Sequence, residues 1–556
     1  MKRDRLKILI CGEASFLDSG YAVYQHRLLT KLSQNPAFHV AEQAGYSCIN
    51  DPRDTKCNWR FYANAVRDND PRIKLYQSNT QNSFGKWRFD AVVADFRPDV
   101  VIDIRDFWMN SFQRLSPLRE CFHWVLMPTI DSMPQKEEWI DTYMNCDAIF
   151  TYSDWARDVL NNQSFGQINY IDTCSPGYDS EFFEFTGGTA KKASRNLMGI
   201  SDDSIIIGTV MRNQKRKLFA ELIRDFRKLL DHLKAEGFDQ CNNIFLYLHT
   251  SYPDFLCWDI PDLLRECRVL NKTLFTYKCE KCSHIQSCLY SGPMTLCNHC
   301  KQKSASMPTV SKGVTRRQLG LIYSLFDMYV QYSICEGFGM PQIEAASCGV
   351  PVMAVNYSAM EDVIKKLDAY PIDLAYKFRE LETFADRAYP SSDSFIRNIK
   401  SYLSLDETHK QLKSLSFAHG CYKQYQWDHS LDKWEKYLMS LYNNGYKADY
   451  RKPRIPISPI TKHEINSLSN NTDIIRYMFD RLAPFNLKSY TMLDMLNRIN
   501  YGYVIDNGRQ QNFNIDMALR NVNILIDNYN YSIELINSDM TQHEDYIQYA
   551  NMKDPI

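Results

Sequence analysis

Ser333-Ile-Cys-Glu-Gly-Phe-Gly-Met-Pro-Gln-Ile-Glu-Ala-Ala-Ser-Cys-Gly-Val-Pro-Val352 reads as strand end, loop, helix, turn and strand. Before it, Phe326-Asp-Met-Tyr-Val-Gln-Tyr332 is short, aromatic and β-branched, the pattern of a buried strand. Gly337 and Gly339 free the backbone to pass close to a ligand. Pro341 suits the first position of a helix, Gly349 closes it, and Val350 to Val355 begins the next strand. A helix opening at the end of a strand points free N–H groups and a positive dipole end out of the sheet, which makes a site for a phosphate. Glu336 and Glu344 flank that loop. Carboxylates beside an anion site serve as acceptors for sugar hydroxyls rather than as phosphate ligands. A tight α/β turn with two solvated acids gives the same local pattern.

The composition bounds the rest. A chain of 556 residues should make two to four domains, and 44% apolar content is ample for their cores. The net charge of −1 leaves no global field for nucleic acid or membrane, so any such binding is local. No run of 18 apolar residues is present, so no spanning helix is expected. Met1-Lys-Arg-Asp-Arg-Leu-Lys-Ile-Leu-Ile-Cys11 leads into a strand rather than forming a signal peptide. The 17 cysteines are scattered, apart from one cluster, which suits reduced thiols in a cytoplasm.

Lys7 to Gly12 reads as a first parallel strand, and Ser19-Gly20-Tyr21 precedes an amphipathic helix from Ala22 to Leu32. This opens a Rossmann-like unit. Pro98 to Ile104 and His123 to Pro128 are further buried strands. Asp106 and Asp131 follow them, polar groups beyond the carboxyl ends of these strands. His123, at a strand start, is a packing or surface histidine. Ser204 to Val210 begins a second Rossmann-like domain and runs into Met-Arg212-Asn-Gln-Lys-Arg-Lys217, then a helix from Leu218. Two fixed cations there can hold an anionic group. Asn243 to His249 and Leu274 to Tyr277 continue that sheet.

These segments together resemble the retaining GT-B glycosyltransferases of the family 4 type, a large group that includes sucrose synthase and bacterial mannosyltransferases. Its pattern is Glu-Gly-Phe-Gly, then Pro, a second Glu eight positions after the first, and Cys-Gly-x-Pro-Val; Glu336 and Glu344 keep that spacing. The resemblance implies two Rossmann-like domains facing a cleft. It places Glu336 and the loop of Gly337, Phe338, Gly339 and Met340 on the donor sugar, Glu344 on the nucleotide ribose, Arg212 and Lys217 on the diphosphate, whose growing charge two fixed cations stabilise as it leaves, and Gly20 under the donor phosphates. For such a transfer Asp106 and Asp131 are the polar groups best placed to meet an acceptor hydroxyl, and Asp131 is the candidate base. A nucleotide sugar, UDP-linked by family frequency, is then the donor, with no catalytic divalent metal. One departure stands out. Many relatives carry a His near the reacting sugar, where this chain has Pro128 or Thr129.

An insertion interrupts the pattern. Cys279-Glu-Lys-Cys282 is followed after 14 residues by Cys297-Asn-His-Cys300, the spacing of a four-thiolate zinc ribbon with a structural role. From Lys278 to Arg317 there are seven Lys/Arg and one acid, a local footprint for a polyanion or a solvated face on a stabilising insertion. The expected organisation is an N-terminal acceptor domain (1–183), a donor domain (184–445) holding the ribbon (277–304), a Pro-rich linker (446–460) and an accessory helical domain (461–556). Helical periodicity marks Asp473 to Leu482, Thr491 to Ile499 and Asn514 to Leu535. With its basic ribbon, the chain looks like the sugar transferases that decorate hydroxymethylated bases in phage DNA. A polysaccharide, lipopolysaccharide or protein acceptor is the alternative, and a non-catalytic nucleic-acid-binding module on a transferase fold is another.

Overall fold

The computed structural model describes residues 4–48, 51–53, 57–114, 116, 118–185, 187–254, 257–309, 312–450, 456–482, 503–506 and 509–537. The strands of the first domain are β1 (Leu6–Glu13), β2 (Phe38–Cys48), β3 (Arg60–Ala65), β4 (Val100–Asp103), β5 (His123–Leu126), β6 (Ala148–Thr151) and β7 (Tyr170–Thr173). They form a seven-stranded, all-parallel sheet of order β3-β2-β1-β4-β5-β6-β7. Apolar residues fill both faces of β1 and β4, so these strands read as continuous apolar runs rather than alternating ones. Helix α1 (Gly20–Ser33) follows β1, capped by the Ser19 side chain, which accepts from Ala22 N at 3.1 Å.

The second domain repeats the design. Strands β8 (Ile205–Val210), β9 (Ile244–His249), β10 (Thr273–Cys279), β14 (Met328–Gln331), β15 (Val352–Val355) and β16 (Tyr370–Ile372) lie in the order β10-β9-β8-β14-β15-β16, all parallel. In both sheets the strand order reverses beside the first strand of the domain, and ligands of open α/β sheets bind at that switch point, beyond the carboxyl ends of the strands. Helix α2 (Phe219–Ala235) follows β8, α3 (Arg316–Tyr323) precedes β14, and α4 (Met340–Ser347) follows it. Helix α4 starts one residue before Pro341, and Gly349 ends it at φ +75°.

The insertion grows directly out of β10. Strands β11 (Ile285–Leu289) and β13 (Lys303–Ser306) pair with β10 antiparallel, and β12 (Met294–Leu296) pairs with β13, so the ribbon extends the second sheet at its edge. A further hairpin, β17 (Leu374–Arg379) and β18 (Asp386–Pro390), stands beside the loop before Glu336, where Ala388 N donates to Ile334 O at 3.0 Å.

Helix α5 (Trp427–Asn443) crosses back onto the first domain. Trp434 stacks on Phe150 at 3.8 Å and donates to Tyr24 OH at 2.9 Å, and Lys31 pairs with Asp432 at 2.7 Å. His123, at the start of β5, meets Tyr437 OH of α5 at 2.6 Å. In the tail, the helix Asn471–Arg481 and helix α6 (Ile515–Asn537) are present, with a hairpin of Tyr503–Asp506 and Arg509–Phe513 between them. The expected helix Thr491 to Ile499 lies outside the described residues. Ile457 and Ile460, in the stretch read as linker, are buried against α6. Asn523 and Asn530 clamp that stretch, each exchanging two 2.8–2.9 Å bonds with the backbone N–H and C=O of Ile460 and Ile457. Leu535 and Ile536 of α6 join the core of the first domain.

Candidate active site

The loop after β14 brings Glu336 to the switch point of the second sheet, and the loop after β8 brings Arg216 and Lys217 to meet it. The Glu336 carboxylate accepts from Lys217 Nζ, from Arg216 Nη1 at 3.0 Å and from Gln331 Nε2 at 2.7 Å. Its own N–H donates to Ser358 Oγ at 2.9 Å. Burial would push this carboxyl up, but Lys217 and Arg216 outweigh it and hold it at about 2. Burial pulls Lys217 down to about 8 despite the attraction of Glu336. The result is a fixed carboxylate with an excess of positive charge on one side.

Arg212 lies elsewhere. Its side chain is 50% exposed and pairs with Asp254 at 3.2 Å. Arg216, which sequence spacing did not single out, is the arginine that reaches Glu336. Both belong to the irregular segment between β8 and α2, where no periodicity tells which side chain turns inward.

Gly339 has φ +88°, a left-handed conformation that a side chain would strain, and it opens α4. Glu344, one turn into α4, is buried and accepts from Tyr323 OH at 2.7 Å. Burial raises its pKa, opposed by Tyr323 and by Arg316. Arg316, in the first turn of α3, pairs with Asp179; Arg27 of α1 pairs with the same carboxylate, and Trp427 Nε1 donates to it at 2.9 Å. Asp179 thus ties the segment between the domains to α1, α3 and α5.

The first domain faces this loop at close quarters. A Cβ on Gly337 would lie 2.2 Å from Thr129 Cγ2, and one on Gly20 would lie 3.8 Å from Met340 Sδ. Only glycine at 337 lets the two domains approach this far. Thr129 Oγ1 meets Tyr21 OH at 2.7 Å, and Tyr21 donates to Asp106 at 2.8 Å. Burial raises Asp106 to about 6, against its bond from Tyr21. Behind the Gly20 loop, the buried Glu42 accepts from Ser15 N and Oγ, Gln25 and Trp59, which pins the turn between β1 and α1.

Asp131 is engaged across the cleft. Arg387 of β18 donates to it at 3.1 Å, Ser132 Oγ at 2.8 Å and Cys335 Sγ at 3.2 Å. Arg387 is itself held by Glu380 at 2.6 Å. Beside this pair, Asp386 N donates to Met133 O at 2.8 Å, and Tyr357 OH links Met133 N and Asp386 O. The hairpin therefore latches one domain to the other next to Glu336.

The ribbon cysteines converge. The thiol sulfurs of Cys279, Cys282, Cys297 and Cys300 all lie within 4.8 Å of one another. Cys279 and Cys300, and Cys282 and Cys297, are 3.6 Å apart, close to the ~3.8 Å edge of a tetrahedral zinc–thiolate site. The two knuckles repeat one hydrogen-bond pattern. Cys279 N donates to His284 O and Cys297 N to Gln302 O, both at 2.8 Å; Ser283 N donates to Cys279 O and Lys301 N to Cys297 O, both at 3.0 Å. Ser283 and Lys301 carry φ of +59° and +60°. Four thiolates in this arrangement fit zinc and leave it no open position.

Comparison with known proteins agrees with this geometry. Residues 296–414 match the family described as glycosyl transferases group 1, so the chain carries a glycosyltransferase domain. No curated protein matches the sequence. Among solved structures, sucrose-phosphate synthase from Thermosynechococcus elongatus aligns at 14% identity and TM-score 0.56, over 79% of this chain and all of that one. The Anabaena protein HepE in complex with UDP and glucose aligns at 13% identity and TM-score 0.52, over 79% of this chain and all of that one. The N-terminal domain of Candida albicans trehalose-6-phosphate phosphatase aligns at 12% identity and TM-score 0.52, over 78% and 96% of the two chains. The fold is GT-B, as the sequence led one to expect, and the ribbon and the C-terminal helices are additions to it. No helix among the described residues is long and apolar enough to cross a membrane.

Proposed function

We propose that the protein is a retaining glycosyltransferase that moves a sugar from a nucleotide sugar, UDP-linked by preference, to an acceptor hydroxyl. The observation that carries this reading is Glu336, clamped by Lys217 and Arg216 at the opening of α4, with its loop neighbours Gly337 and Met340 set against Thr129 and Gly20 across the cleft. HepE, whose solved complex holds UDP and glucose, supports the choice of donor. Glu336 and the amides of residues 337–340 hold the sugar, and Glu344 holds the ribose. Lys217 and Arg216 receive the diphosphate, with Arg212 at the exposed end of the same loop. As the bond from C1 to the phosphate oxygen breaks, negative charge grows on the diphosphate, and fixed cations in a closed site stabilise it. The acceptor oxygen bonds C1 from the face the diphosphate leaves, and its proton passes to the departing phosphate oxygen. Asp106 and Asp131 border the side from which the acceptor enters.

The four ribbon cysteines would hold one structural Zn2+. For the acceptor we propose a hydroxymethylated base in DNA, extruded into the cleft, in the cytoplasm (the host's, for a viral chain). The experiment is nucleoside mass spectrometry of DNA carrying hydroxymethylcytosine or hydroxymethyluracil after incubation with the protein and a panel of nucleotide sugars. A hexose or pentose mass shift that vanishes in Glu336→Ala supports the transferase and its DNA acceptor, and the anomeric configuration of the isolated product, read by NMR, tests retention. Release of nucleoside diphosphate without a DNA shift keeps the donor site and removes DNA. No turnover of any nucleotide sugar overturns the transferase.

A further inference from the structure

The ribbon carries charge that the donor site does not use. Lys281, Lys301 and Lys303 are exposed, and among the described residues no carboxylate forms an ion pair with any of them. The one acid of the ribbon, Glu280, is held by Lys312 at 2.9 Å. The backbone gathers the three lysines. Glu280 N donates to Ser304 O at 2.8 Å, which brings the backbone before Lys281 against the backbone after Lys303. Lys301 stands at the turn of the second knuckle, and the rings of His284 and His299 stack at 5.4 Å between the knuckles.

This patch is fixed relative to the cleft. Gln318 Nε2 of α3 donates to Ser283 O of the first knuckle at 2.9 Å, and Lys278 donates to Gly313 O. The same helix carries Arg316 to Asp179, Tyr323 to Glu344, and Arg317 at the surface. The exposed lysines of the knuckles are therefore held on the same helix that presents Arg317 and reaches Glu344 through Tyr323.

We infer that Lys281, Lys301 and Lys303 dock the sugar-phosphate backbone of the nucleic acid whose base enters the cleft. The inference rests on the acceptor proposed above. A patch set to one side of the cleft serves an acceptor much longer than the group being modified. Lysines are point charges that neutralise phosphates without reading sequence. The stacked histidines add flat faces of the kind on which bases pack. An anionic polysaccharide shares the charge but not the bases.

The test is fluorescence anisotropy of a labelled DNA duplex with the full chain, over a series of salt concentrations, with heparin as the rival polyanion. For Lys281→Ala/Lys301→Ala/Lys303→Ala the expected result is weaker binding, with a slope of log affinity against log salt that is smaller by up to about 2.7, roughly 0.9 for each phosphate no longer neutralised. The matching triple Lys→Arg variant restores the slope. Zinc content and melting temperature certify the fold of each variant. An unchanged slope in the alanine variant overturns the inference, as does wild-type protein that binds heparin and not DNA. Sugar transfer to hydroxymethylated DNA separates the two proposals. Wild-type transfer with an unchanged alanine variant sinks the patch and leaves the acceptor standing. Lysine-dependent DNA binding without transfer sinks the acceptor and leaves the patch.

Discussion

Replacing Lys217 by Met probes the charge arrangement of the proposed donor site. Lys217 is buried, with 9% of its side chain exposed, and bonds one oxygen of Glu336, while Arg216 takes the other at 3.0 Å. Breaking a buried pair by removing one partner costs about 3–5 kcal/mol, because a charge is stranded. Here Arg216 and Gln331 remain on Glu336, so the loss falls at the lower end of that range. The catalytic loss is separate. Removing one group aimed at developing transition-state charge lowers kcat by about 10²–10³. The double variant Lys217→Met/Glu336→Gln distinguishes the two effects: with no stranded carboxylate its melting temperature recovers toward wild type, while its turnover stays as low as that of Lys217→Met or lower. The assays are thermal melting and nucleoside diphosphate release with saturating donor. Turnover by Lys217→Met at about the wild-type rate would refute the role given to this cation, and a double variant no more stable than the single one would refute the stranded-charge argument.

Lys217 loses its proton as pH rises through about 8, burial having lowered it, so nucleoside diphosphate affinity should weaken above that pH in calorimetric titrations and lose this dependence in Lys217→Arg. Gly337→Ala places a methyl 2.2 Å from Thr129 Cγ2; overpacking of this kind costs about 1–3 kcal/mol, expected as a raised donor KM, and Thr129→Ser, which removes that methyl and keeps the hydroxyl, should restore it. Asp131→Asn weakens the bond from Arg387 at 3.1 Å and should raise donor KM more than it lowers kcat, whereas Asp106→Asn should lower transfer to acceptor and spare donor hydrolysis.

What the sequence disclosed depended on whether spacing alone decides geometry. The Glu336–Glu344 segment and the paired knuckles are local: their residues lie within one loop or turn, so their spacing specifies them. The partner of Glu336 was harder. Arg212 and Arg216 both precede Lys217 on an irregular loop, and only the fold shows Arg216 turning inward while Arg212 meets Asp254. The hairpin β17–β18 was legible in part: Leu374, Tyr376 and Phe378 recur at every second position, but β17 is exposed along nearly its whole length, so its pattern marks no core face and only the fold shows what it stands beside. Asn523 and Asn530 read as weak helix formers, yet their separation of seven puts both on one face, where they hold Ile460 and Ile457. The same pairing hides the character of the stretch before it: its prolines suggest a free segment, while its isoleucines are held by asparagines 63 and 73 residues further along the chain.

The contacts between the domains and those around the donor site share residues. Cys335, which bonds Asp131 of the first domain, is the immediate neighbour of Glu336. Gly337, which admits Thr129, is its other neighbour. Arg387 reaches Asp131 and Cys335 together, from a strand that is also bonded to Ile334. Asp179 joins Arg27 of the first domain to Arg316, the cation that acts on Glu344 from its own side of the cleft. A separation of the domains therefore loosens the groups beside both glutamates at once. For the proposed donor site this couples donor binding to closure of the cleft and exclusion of water. On this reasoning Asp131 acts through closure, its carboxylate already engaged by three donors. Asp106, held up at about 6 by burial and linked through Tyr21 to Thr129, is then the better of the two proposed contacts for an acceptor hydroxyl.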